Sequence, residues 1–310
     1  MRILVTGGAG FIGSHVVDAY VAAGHEVAVL DDCSTGHAEQ VHRGARLHRA
    51  DLRDRAAVAA VAAQVRPEVV SHHAAQLDVR RSVADPAFDA AVNVIGLLHV
   101  LEAARAHGLR RVVFASSGGV VYGESQRLPT REEDPTEPIS PYGVAKLASE
   151  RYLHVYTHVH GIASVWLRYA NVYGPRQDPG GEAGVIAIFI GQLLAGGAPV
   201  INGPGTQTRD YVFVGDVVRA NLLALESDCR GPLNIGSGVE TDVNRLFALL
   251  CDATRHHPPA RHGPAKPGEQ LRSVLDPARA RTVLGWQPET PLAQGLARTV
   301  AWFDERHAAT

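Results

Sequence analysis

A phenol and an ammonium stand four residues apart in Tyr142-Gly-Val-Ala-Lys146. On a helix this spacing puts both groups on one face. Tyrosine, with an ordinary pKa near 10, is a poor base at neutral pH, and a neighbouring cation favours its phenolate. Lowering that pKa by about three units takes roughly 4 kcal/mol of differential interaction. Two positive charges in a partly dry crevice can supply it. Lys146 would be one of them. Upstream, Val112-Val-Phe-Ala-Ser-Ser117 reads as a strand ending in two hydroxyls, followed by Gly118-Gly119. Ser117 is placed where it could bond to a reacting oxygen and relay its proton.

The second charge is implied by the start of the chain, Arg2-Ile-Leu-Val-Thr-Gly-Gly-Ala-Gly-Phe-Ile-Gly13. Residues 2–6 suit a strand buried on both faces. Gly7, Gly10 and Gly13 then recur every third residue. Without a Cβ in the way, backbone N–H groups can approach a pyrophosphate. The helix opening near Phe11, Ile12 and Gly13 would point its positive end at that anion. A second strand, Glu26-Val-Ala-Val-Leu30, ends at Asp31-Asp32, where a carboxylate can accept both ribose hydroxyls and would repel a 2′-phosphate. The cofactor expected is therefore NAD rather than NADP. A third strand, near Ala45–Arg49, leads to Asp51-Leu52, where a polar residue could reach the adenine amine. The positive nicotinamide then supplies the second charge beside Tyr142.

Those elements must sit in an α/β chain. Strands are expected at 2–6, 26–30, 45–49, 68–72, 111–115 and 163–168, and helices at 12–23, 54–65, 86–107 and 141–159. The alternation is that of a doubly wound parallel Rossmann sheet. After Asn171 the rhythm loosens, with helices expected at 185–196, 214–227, 242–253, 276–284 and 291–306. Residues 1–172 read as the NAD-binding domain, receiving a further segment near 211–228. Residues 173–310 read as a smaller mixed α/β substrate-binding lobe at the carboxyl edge of the sheet, where ligands of open α/β sheets bind.

Bulk properties narrow the classes. The chain has 310 residues, 45% hydrophobic and 20% charged, with a net charge of −2. No polyanion is implied, so no nucleic-acid partner is expected. Apolar runs are short, so neither a signal peptide nor a membrane span is expected. Cys33, Cys229 and Cys251 are widely separated and suit reduced thiols in a cytoplasmic protein. Sixteen histidines invite a metal. No glutamate follows His154 in His154-x-x-x-His158, and His72-His73 and His256-His257 are adjacent pairs that rarely share one ion. No metal is expected.

The chain resembles the extended short-chain dehydrogenase/reductase family, most closely its UDP-glucose 4-epimerases. The likeness runs through Thr6–Gly13, Leu30–Gly36, Ala74-Ala75-Gln76, Phe114–Gly123, Tyr142–Lys146 and Leu167–Arg176. It continues through Gly184–Phe189, Gln207–Asp216, Asn234–Gly238 and Gly268–Asp276. The resemblance implies tightly held NAD, recycled within each turnover, and a UDP-sugar oxidised transiently to its 4-ketose. It also implies cofactor contacts from Ala74, Gln76, Asn93 and Tyr169. Asn171 would bond the diphosphate or the sugar, Arg209 would pair with the diphosphate, and Glu269 would hold the uridine ribose. Lys266 stands where relatives carry arginine, so the charge survives without the bidentate fork, and Arg272 is an alternative. Ser273 stands where a bulky residue narrows the sugar pocket, which implies room for an N-acetyl group. A homodimer is implied through the helices at 86–107 and 141–159, with Val92, Leu97, Val100 and Leu101 as candidate apolar contacts that core packing explains as well.

Three other readings stay open. One is a C4 epimerase of a UDP-uronic acid. Another is a nucleotide-sugar dehydratase or decarboxylase, although Gly118-Gly119 stand where those enzymes carry acids. The third is a dinucleotide-binding sensor without catalysis, although such proteins commonly lack the Tyr-x-x-x-Lys pair.

Overall fold

The fold is that of a computed structural model, which describes residues 1–180, 184–265 and 270–307. Lys266 and Glu269 lie outside the described residues.

The first half runs β1 (Arg2–Thr6), α1 (Phe11–Ala22), β2 (Glu26–Asp31), β3 (Arg46–Arg49), α2 (Arg55–Val65) and β4 (Val69–His72). It continues with α3 (Val79–Ala84), α4 (Pro86–Ala90), a π turn (Ala91–Ile95), α5 (Gly96–Arg105), β5 (Arg111–Ser117), α6 (Gly118–Val121), α7 (Pro141–His160) and β6 (Ala163–Tyr169). Side-chain caps set several helix starts. Asp54 accepts the N–H groups of Ala56 and Ala57, and Asp78 and Asp85 cap α3 and α4. Ser140 accepts from Gly143 N, with Pro141 in the first turn, and Gly161, at φ +70°, ends α7. The helix expected over 86–107 is two helices joined by the π turn.

The second half runs β7 (Asn171–Tyr173), α8 (Val185–Leu194), β8 (Val200–Asn202), β9 (Thr208–Phe213), α9 (Val214–Glu226), β10 (Gly231–Ile235) and β11 (Glu240–Asp242). It ends with α10 (Val243–Thr254), β12 (Arg261–Gly263), α11 (Ala278–Leu284) and α12 (Leu292–His307).

Seven strands form one parallel sheet in the order β10-β6-β5-β4-β1-β2-β3. The order reverses between β1 and β4, which opens a crevice at their carboxyl ends. One face packs on α2, α5 and α7 through Val58, Val61, Leu97, Leu101, Leu153 and Trp166. The other packs on α1 and α9 through Val16, Val17, Tyr20 and Leu225, and through Val217 and Ala220. Leu97, Val100 and Leu101 are core residues, the alternative that their sequence pattern also allowed. The segment Pro86–Arg105 is long and apolar enough to cross a membrane by length and composition. Here its apolar side chains close the core of the sheet.

The 171–310 part builds its own core from β7, β9, α8, α10 and α12, centred on Tyr173, Ile190, Phe213, Leu246, Leu250 and Leu296. Its β11-β9-β7 sheet and the parallel β12-β8 pair are small. Asp210, almost fully buried, pins it to the sheet. Its carboxylate accepts from Ser237 N at 2.7 Å, Ser237 Oγ at 2.5 Å, and Gly238 N and Leu275 N, each at 3.2 Å.

Candidate active site

The loop from β1 to α1 is shaped by its glycines. Gly7 is at φ +69°, and a Cβ there would lie 2.4 Å from Ala74 N. A Cβ on Gly13 would lie 2.0 Å from the Gly7 carbonyl oxygen. Close packing of strand end, loop and helix therefore excludes side chains at both positions. Gly10 begins α1 without a side-chain cap, so the first-turn N–H groups of Phe11, Ile12 and Gly13 have no side-chain acceptor. Such a helix start binds anionic oxygen well.

Asp31 closes the loop from the side. Its Oδ2 accepts Ala9 N at 2.9 Å and its Oδ1 accepts Cys33 N at 2.8 Å. Burial raises its carboxyl, and the two N–H bonds act against that. Each oxygen keeps a lone pair for a ribose hydroxyl. Asp32 points elsewhere, accepting Ser34 N and Oγ in its own exposed turn. Asp51 pairs with Arg53, and Leu52 is buried against Gly96, its carbonyl meeting His99 Nδ1 at 2.9 Å. The glycine cradle, the uncapped helix start and the buried acid at the end of β2 fit a dinucleotide.

The 73–78 loop after β4 forms the opposite wall. Asn93, in the π turn, accepts Gln76 N at 2.9 Å and donates to Gln76 O at 2.9 Å. Asp89 accepts from Asn93 Nδ2 and Gln76 Nε2, both at 3.0 Å. Ser149 on α7 donates to Asn93 O at 3.1 Å. The expected cofactor residues Gln76 and Asn93 are thus joined in one buried clamp. Tyr169 is not part of this wall. Its ring lies in the core under α9, with its hydroxyl accepting from Asn221 Nδ2 at 2.8 Å, so only its main chain reaches the carboxyl edge.

Tyr142 and Lys146 share one face of α7. Lys146 is buried, donates to Ala115 O at 2.9 Å, and lies 5.7 Å from the centre of the Tyr142 ring. Burial pushes Lys146 down to about 8, with Asp89 and Glu150 acting against the shift. The Tyr142 phenol is pushed up by burial, and the charge of Asp89 adds to this. Burial and Asp89 thus oppose the phenolate that Lys146 is expected to favour.

Ser116 and Ser117 divide between two surroundings. Ser116 Oγ donates to Glu150 at 2.6 Å, and Glu150 pairs with Arg168 at 2.6 Å, all of them buried. Arg168 also donates to the Tyr122 hydroxyl, which donates to Asn234 Oδ1. Alternation along a strand starts Ser117 on the other face. Its hydroxyl is half-buried, with no hydrogen bond to Tyr142, Lys146 or any other of the described residues. The Glu150 network escaped the sequence reading, although Tyr142, Lys146 and Glu150 recur every four residues, a signal for a third group on the same face.

On the substrate side, Asn171 is exposed at the start of β7, and Arg209 lies on β9 with Nη1 donating to Thr208 O at 2.8 Å. Ser273 is buried next to the bridge between Thr208 and Arg272. Arg272, the alternative phosphate contact, instead holds Glu240 through two bonds of 2.9 and 2.5 Å. No group of three or more histidine, cysteine or acidic side chains suited to a metal occurs among the described residues.

Comparison with known proteins places these features together. A model described as the NAD dependent epimerase/dehydratase family matches residues 3–236. The UDP-glucose 4-epimerase of Mycolicibacterium smegmatis is 48% identical over 309 residues, 98% of each chain. The structure of UDP-glucose 4-epimerase with UDP-glucose from Thermotoga maritima superposes with a TM-score of 0.97 at 45% identity, covering 99% of this chain and 100% of that one. The Thermus thermophilus UDP-glucose 4-epimerase in complex with NAD gives a TM-score of 0.92 at 45% identity, covering 98% of this chain and 99% of that one.

Proposed function

The chain belongs to the NAD-dependent epimerase/dehydratase family, and from that premise we propose that it interconverts UDP-glucose and UDP-galactose by epimerising C4. The observation that carries this reading is the pairing of Tyr142 and Lys146 on α7 with a phosphate-ready glycine cradle across the crevice.

NAD, when bound, accepts and returns a hydride at C4. The chain's own residues hold the sugar and move its proton. Tyr142 takes the proton of the 4-hydroxyl and gives it back when the ketose is reduced on its other face. Lys146 orients the phenol and keeps positive charge beside it. Ser117 assists at the same oxygen. Phe11, Ile12 and Gly13 present N–H groups to the pyrophosphate, and Asp31 holds the ribose. Asn171 and Arg209 hold the diphosphate end of the substrate, Lys266 adds charge there, and Glu269 holds the uridine ribose. Net redox change is zero, so the cofactor stays bound between turnovers.

Gly118-Gly119 argue against dehydration. These glycines have no acidic side chain to give or take a proton, and Leu275 packs close over Gly118, 2.5 Å from where a Cβ would stand. The small Ser273 favours acceptance of the N-acetylated sugar pair as well. A homodimer is supported by the exposed apolar side chains of Ile95, Val144, Val155 and Val159 along the 86–105 segment and α7. Three free thiols support a cytoplasmic location.

Proton NMR of the purified protein with UDP-glucose, and separately with UDP-N-acetylglucosamine, tests this reading without added NAD. Appearance of the galacto epimer is the expected result. No turnover of either sugar, even after NAD is supplied, would overturn it.

A further inference from the structure

Asp89 is almost fully buried on α4, with no ion-pair partner among the described residues. One oxygen, Oδ1, accepts both amide donors, Gln76 Nε2 and Asn93 Nδ2, at 3.0 Å. Asn93 in turn grips the main chain of Gln76 on both sides and receives Ser149, one turn beyond Lys146 on α7. α3 joins the same assembly where Ser82 Oγ accepts Tyr142 N at 3.2 Å. The cofactor loop and the proton-transfer helix are therefore tied through Asn93, and Asp89 braces the side chains of both Asn93 and Gln76. A buried acid without a cation is costly to keep, and a structural amide bridge needs no charge.

We propose that Asp89 is a positioning residue of the epimerisation, its amide bridge fixing the 73–78 loop against α7 while its negative charge faces Tyr142 and Lys146. The inference rests on the C4 epimerase reading. The charge has a definite use. It keeps Lys146 charged in a dry site and sets how readily the Tyr142 phenol ionises. The other groups facing the pair do not duplicate it. Glu150 on α7 is committed to Arg168 and Ser116. His72 at the end of β4 and His73 just after it are driven below their usual range by burial, His73 to about 3, and stay neutral.

Asp89→Asn separates charge from bridge, because an amide oxygen can still accept both donors. Holoenzyme is assayed across pH with UDP-glucose, beside wild type and Tyr142→Phe. Removing the charge eases ionisation of Tyr142 and weakens retention of the proton by Lys146. Both limbs of the kcat/KM profile are expected to move to lower pH, by about one unit, with NAD still bound. Unmoved limbs, or a uniform loss at every pH, would assign Asp89 a merely structural role and overturn the proposal. If Asp89→Asn does not fold, Asp89→Glu keeps the charge and displaces the bridge. It is expected to lower kcat roughly ten- to a hundredfold with limbs as in wild type, and a Glu variant with full kcat or moved limbs would overturn the proposal. Absence of turnover in the wild type would instead sink the epimerase reading on which the inference stands.

Discussion

Lys146 and Glu150 stand one turn apart on α7, both buried and both charged, in opposite situations. Glu150 is met by Arg168 and Ser116, and the network runs on through Tyr122 to Asn234. Lys146 is met by a backbone carbonyl and by no carboxylate bond. A fully paired buried charge fixes geometry, and losing one partner strands the other. A buried charge held by no direct ion pair keeps its pKa movable, the condition a proton-transfer site requires. One turn of helix thus separates the part of α7 that anchors the end of β5 from the part that does chemistry there.

Four experiments press on this contrast. Tyr142→Phe should cut kcat by about 10²–10⁴-fold with NAD still bound, and a loss under tenfold would remove the chemical half of the comparison. Glu150→Gln should do the reverse, destabilising the fold by about 3–5 kcal/mol as read by chemical denaturation, because Arg168 is left uncompensated. A Glu150→Gln protein of normal stability would show that the pairing is not what holds the strand end. Ser117→Ala should cost at most about tenfold in kcat, below the roughly 10²–10⁴-fold of a proton-transfer group, since no bond ties Ser117 to Tyr142. A loss comparable to that of Tyr142→Phe would restore Ser117 to equal rank.

The smallest effect concerns pH. Lys146 sits at about 8 when folded, below its value of roughly 10.4 in an unfolded chain. Between those values the unfolded chain binds more protons, so the contribution of Lys146 to stability rises with pH. Activity should fall over the same window as the ammonium is lost. Parallel loss of activity and stability above pH 8 would mean that Lys146 is not the group titrating.

What could be read beforehand follows the range of the interactions. β1, β2 and β5 are built on continuous apolar runs because both faces of a parallel sheet are covered, and this pattern is local. The glycine triad and the Tyr142–Lys146 spacing are local too. β10 was not legible, because Gly231-Pro-Leu-Asn-Ile is short and carries a proline, which only an edge strand admits. The π turn was hidden within an apolar stretch that reads as one helix. Asp89 and Glu150 look like ordinary surface acids of amphipathic helices. Local spacing sets Glu150 on the face of Tyr142 and Lys146, but the burial of both acids also depends on partners outside their own helices, Gln76 for Asp89 and Arg168 for Glu150.

The position of β10 bears on how the chain is made. β6 is buried and apolar along most of its length and lies inside the finished sheet, flanked by β5 and β10. On the ribosome, β5 is ready before it, and its other flank stays unpaired until residues 171–230 have emerged. At roughly 5–20 residues per second, that leaves a sticky strand edge open for several seconds. A nascent chain of this protein should therefore be most prone to mispairing with its neighbours between synthesis of β6 and β10, and codons that slow translation of that interval should lower the yield of folded protein.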